Sequence, residues 1–74
     1  MEIETEEILK LFGSKVKEYR IKRNYTQENL AEKVGLSVQE LEQIETGEKD
    51  IDTTMARKIA RQLRVTLAEL FDMV

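Results

Sequence analysis

Residues 25–47 read YTQENLAEKVGLSVQELEQIETG, and the spacing of their apolar and helix-ending residues decides the fold. Thr26 precedes a helical pattern, and its hydroxyl can accept a hydrogen bond from a first-turn amide. Leu30, Ala31 and Val34 then share one face. Gly35 follows at once, and glycine adopts the left-handed backbone that ends helices. Only Leu36 separates it from Ser37. Ser37 and Glu40 have the S-x-x-E spacing in which two side chains satisfy two amides at a helix start. Leu41 and Ile44 face inward, and Gly47 is the next stop. Two helices joined by so short a turn must cross steeply, which is helix-turn-helix geometry.

Upstream, Thr5 is placed to cap a first helix, with Glu6 and Glu7 in its first turn. Residues 1–4 are expected to be frayed. Ile8, Phe12, Val16 and Tyr19 repeat at the helical period. Gly13 costs that helix up to about 1 kcal/mol relative to alanine, so the helix is either loose or closely packed there. Lys15, Lys17, Lys22 and Arg23 are expected to project outward, as a solvated face or as an attraction for phosphate. Asn24 and Tyr25 turn the chain into the second helix.

Downstream, Glu48 to Asp52 form a loop, and Asp52 or Thr53 caps a fourth helix. Ala56, Ile59, Ala60 and Leu63 form its apolar stripe, while Arg57, Lys58, Arg61 and Arg64 make its other side basic. Thr66 and Glu69 repeat the capping-box spacing and open a last helix, expected at about residues 67–72. The predicted architecture is all-α: five helices in one compact domain over residues 1–74, with the motif at 26–47.

Composition narrows the function. A chain of 74 residues supports one small helical core and little enclosed volume. With no His and no Cys, the usual general base and thiol nucleophile are missing, so no enzyme, no cofactor and no metal site is expected. No apolar run approaches the roughly 20 residues that span a membrane, and the acidic start MEIETEEI is unlike a signal peptide; a cytoplasmic setting is expected. The net charge is −3, unevenly placed. Residues 9–25 carry six bases and one acid, and residues 51–65 four bases and one acid, whereas residues 26–50 carry two bases and seven acids. The motif is therefore the most acidic segment.

TQENLAEKVGLSVQELEQIETG resembles the helix-turn-helix of the phage lambda Cro/CI-type repressors, the XRE family. The positions that match its consensus are Thr26, Gln27, Leu30, Ala31, Gly35, Leu36, Ser37, Leu41, Ile44, Glu45 and Gly47. FGSKVKEYRIKRNY is similar to the family's first helix and RKIARQLRVTLAELF to its last two, so the likeness covers about residues 12–71. The resemblance implies a compact, lambda-repressor-like domain and a sequence-specific DNA-binding transcriptional regulator, most simply a homodimeric repressor. Val38, Gln39, Glu42 and Gln43 of the third helix would then face base edges in the major groove. Gln27, Lys49 and Thr46 would meet phosphate. Arg20 and Glu45 stand where the family has a buried ion pair, although Arg20 beside DNA is the alternative. Glu40 is either a cap or a base contact. Leu67, Phe71, Met73 and Val74 are a candidate dimer contact; core burial of the last helix explains part of that pattern. Arg64 stands where the family usually ends a helix with glycine, so either its backbone is left-handed or the turn differs. The rival expectation is a protein-interaction module, such as the antitoxin of a toxin–antitoxin pair, and it draws on the acidity of the motif.

Overall fold

The computed structural model describes residues 5–71. Among them the chain forms five helices and no strand: α1 (Thr5–Lys22), α2 (Gln27–Val34), α3 (Val38–Thr46), α4 (Thr53–Leu63) and α5 (Leu67–Leu70). The expected fraying of residues 1–4 lies outside the described residues. Thr5 is already inside α1 rather than its cap. The last helix is shorter than expected, because Phe71 leaves it with φ −94° and ψ 6°.

Short polar side chains set the helix starts. Thr26, Ser37 and Thr66 each accept a hydrogen bond from the amide three residues on, at 3.0, 3.1 and 3.1 Å. Asn29, Glu40 and Glu69 return the bond to the capping residue's own amide. Asp52, not Thr53, caps α4, with Oδ1 2.7 Å from the Met55 amide. Each cap satisfies a donor that has no partner inside its helix.

The stops are left-handed. Gly35 (φ 76°) and Gly47 (φ 82°) end α2 and α3. Arg64 takes the same conformation at the end of α4, with φ 60° and ψ 42°. For a residue with a Cβ this strain is about 1–2 kcal/mol.

Phe12, Val16, Leu30, Leu41, Ile59, Leu63 and Leu70 form the centre of the core, each under 2% exposed. Phe71 closes one end, its ring 4.8 Å from that of Phe12. The apolar stripe of α1 is buried only from Phe12 onward. Ile8 stays 38% exposed, because this 18-residue helix outruns the shorter ones beneath it.

Gly13 makes the crossing of α1 and α3 possible. A Cβ there would meet the carbonyl oxygen of Glu45 at 2.6 Å and that of Ile44 closer still. The helix is thus closely packed at this glycine, and its backbone lies directly on the last turn of α3.

Candidate nucleic-acid interface

α3 is anchored by Leu41, Ile44 and Glu45, all buried. Its opposite side exposes Val38, Gln39, Glu42 and Thr46, with Gln43 half-buried between them. Gln39, Glu42, Gln43 and Thr46, together with Glu48, line a shallow depression of about 180 Å³. The Thr46 hydroxyl donates to the Gln43 carbonyl at 3.1 Å, so its lone pairs are left for an incoming donor.

The support behind this face is ionic. Arg20 on α1 donates through Nε and Nη2 to the two carboxylate oxygens of Glu45, at 2.7 and 3.2 Å. The Arg20 and Glu45 side chains are only 11% and 3% exposed. The third arm of the guanidinium donates to the Tyr25 carbonyl at 3.0 Å and ties down the turn before α2. This planar fork matches a carboxylate in both distance and direction.

Gln27 joins the same cluster. Its side-chain amide donates to Glu45 Oε1 at 3.1 Å. The sequence reading put Gln27 on phosphate and missed this bond. A carboxylate offers about four acceptor positions, and Arg20 takes two of them, which leaves room for the Gln27 donor. One N–H of the Gln27 amide remains beyond that bond. It stands beside the first backbone amides of α2, which have no partner within the helix. Arg20, Tyr25, Thr26, Gln27, Glu28 and Val38 border a second depression, of about 400 Å³, at this helix start. Unpaired amides at a helix N-terminus suit an anion.

Lys49 is half-buried, with Nζ 4.0 Å from Glu40 Oε2. Glu40 works as the reciprocal cap of α3. The Ser37 amide holds its carboxyl below the usual 4.5, and the Ser37 hydroxyl adds to the effect. Arg23 is exposed, and its Nε also donates to the Leu63 carbonyl at 2.9 Å, fastening the end of α1 to the end of α4.

The residues expected to make a dimer contact divide. Leu67 and Phe71 are half-buried and line an apolar groove of about 320 Å³ with Ile51, Ala56 and Ala68. Met73 and Val74 lie outside the described residues. No helix among the described residues is long and apolar enough to cross a membrane.

Comparison with known proteins agrees with this geometry. The helix-turn-helix family model HTH_3 matches residues 16–70. An uncharacterised HTH-type transcriptional regulator of Methanocaldococcus jannaschii is 41% identical over 58 residues, covering 78% of this chain and 88% of that protein. A second such regulator, from Archaeoglobus fulgidus, is 34% identical over 58 residues, covering 78% of this chain and 82% of its own. Among solved structures, the restriction-modification controller protein C.AhdI of Aeromonas hydrophila superposes with a TM-score of 0.79 at 29% identity, covering 84% of this chain and 94% of C.AhdI.

Proposed function

Because the chain belongs to the HTH_3 helix-turn-helix family of transcriptional regulators, with its DNA-binding domain, we propose that it reads a specific operator with α3 and acts as a homodimeric repressor in the cytoplasm. The observation that carries this reading is the exposed polar side of α3, held rigid from behind by the Arg20–Glu45–Gln27 cluster. Gln39 and Gln43 suit adenine N6 and N7, Val38 a thymine methyl, and Glu42 the N4 amine of cytosine. Gln27, Thr46 and Lys49 contact phosphate and fix the register. In a dimer the two α3 helices lie about 34–36 Å apart on a near-palindromic site.

Selection from a random duplex pool, followed by gel shift on the selected site, tests this. Gln39→Ala and Gln43→Ala should each cost about 1–3 kcal/mol of discrimination. A double variant that keeps the selected sequence preference removes α3 as the reader.

The interaction-module reading, an antitoxin being one form, has its own support. Glu42, Glu48 and Asp50 are exposed around the face, and Lys49 is already drawn to Glu40. Acids on a reading helix also exclude wrong bases, so they fit DNA recognition as well. Copurification with a basic partner, together with no DNA retention at low salt, would decide for the module.

A further inference from the structure

Four exposed cations stand together on α4 and at its end. Arg57, Lys58 and Arg61 on α4, and Arg64 at its cap, are all exposed. Arg57, Arg61 and Arg64 follow the i, i+4, i+7 spacing and share one side, about 10 Å long. Like charges so placed weaken a helix. α4 reads TTMARKIARQL and contains no acid to offset them. Among the described residues none of the four has an ion pair or hydrogen bond from its side chain, although Glu32 of α2 lines the same depression as Lys58 and Arg61. On α1, by comparison, Lys15 and Lys22 both pair with Glu18, while Lys10 and Lys17 have no ion pair among the described residues. Arg64 adds a second observation: a cation sits in a left-handed position that glycine would fill without strain.

The position and chemistry of this stripe select its occupant. α2 packs against both α3 and α4, and Lys58 and Arg61 of the stripe border a depression with the C-terminal end of α2, whereas the α3 reading side lines a separate one. Among the described residues the exposed large apolar side chains are Ile8, Leu11, Ile21 and Val38, none of them on α4. A protein partner draws its affinity from buried apolar anchors, which this face lacks. A phosphate backbone needs none, since cations gain affinity by releasing its counterions, and arginine grips phosphate with two donors.

We infer that the α4 stripe is a second, sequence-independent DNA contact, holding the backbone of a duplex other than the one read by α3. It rests on the reading of the chain as a DNA-binding regulator. It also answers the acidity of the motif: sequence is read by an acidic unit, while backbone attraction comes from α4. One molecule then links two duplex segments.

The test immobilises a selected operator, saturates it with protein and measures retention of a labelled random-sequence duplex at roughly 50 mM salt. Wild type should retain the second duplex. The R57Q/R61Q variant should lose most of that retention and keep its operator affinity, and R57K/R61K should restore it. The slope of log affinity against log salt for random duplex should flatten by about 0.9 for each phosphate left unneutralised. Thermal melting of R57Q/R61Q checks that the fold survives. Equal retention by wild type and R57Q/R61Q overturns the inference. So does retention of a polyglutamate peptide without retention of duplex, which would point to an acidic protein instead. Should wild type select no operator yet bind random duplex through Arg57 and Arg61, the stripe stands and the reading face fails.

Discussion

At the scale of single residues, two buried contacts at the crossing of α1 and α3 are set by opposite physics. Gly13 is there for what it lacks. Alanine would improve the helix by up to about 1 kcal/mol, but its methyl would drive into the Ile44 and Glu45 carbonyls, which belong to backbone and cannot swing aside. Overpacking of this kind costs about 1–3 kcal/mol. Gly13→Ala should therefore lower the urea midpoint despite its better propensity; an unchanged or raised midpoint would mean that α1 slides freely over α3. Arg20 is there for what it adds. Removing it leaves a carboxylate 3% exposed without its counter-charge. Arg20→Ala should cost about 3–5 kcal/mol in chemical denaturation. A loss of DNA affinity at unchanged stability would instead make Arg20 a direct DNA contact.

At the scale of elements, the caps matter more than helix length, since α2 and α3 have eight and nine residues and are too short to stand alone. The Ser37 amide depresses the Glu40 carboxyl most, followed by the Ser37 hydroxyl, and the Thr66 amide and hydroxyl do the same to Glu69. A carboxyl with a lowered folded-state pKa stabilises the fold fully above its unfolded value of 4.5 and loses that contribution as pH falls through the lower value. NMR titration should place both midpoints below 4.5. Glu40→Gln should flatten the stability profile below that pH, and an unchanged profile removes the cap from the acid response. The caps were also what made the elements legible. Serine, threonine and glycine mark local backbone needs, so α2 and α3 could be bounded from sequence alone. The Thr26–Asn29 box was missed because asparagine replaces the usual glutamate, and Arg64 left its turn open between two backbones. The links from Gln27 to Glu45 and from Arg23 to Leu63 join residues 18 and 40 apart, and no local pattern encodes them.

At the scale of the whole molecule, α5 and the α4–α5 groove pose the remaining question, because Leu67 and Phe71 serve the core only in part. Phe71 is committed to Phe12, whereas Leu67 is half-exposed on the rim of an apolar groove. An operator read by a single α3 offers few base contacts, and two copies on a near-palindrome square its contribution to the binding constant. In the proposed dimer, a second copy seated on this groove would bury apolar surface away from α3. Wild type should therefore sediment above its 8.7 kDa monomer mass at micromolar concentration. Leu67→Asp should return the protein to monomer and weaken operator binding, while its helical circular dichroism stays unchanged because the residue is not in the closed core. If Leu67→Asp and wild type sediment alike as dimers, the partner copy docks elsewhere. If wild type stays at 8.7 kDa at high micromolar concentration, the chain works as a monomer and its operator should carry one half-site.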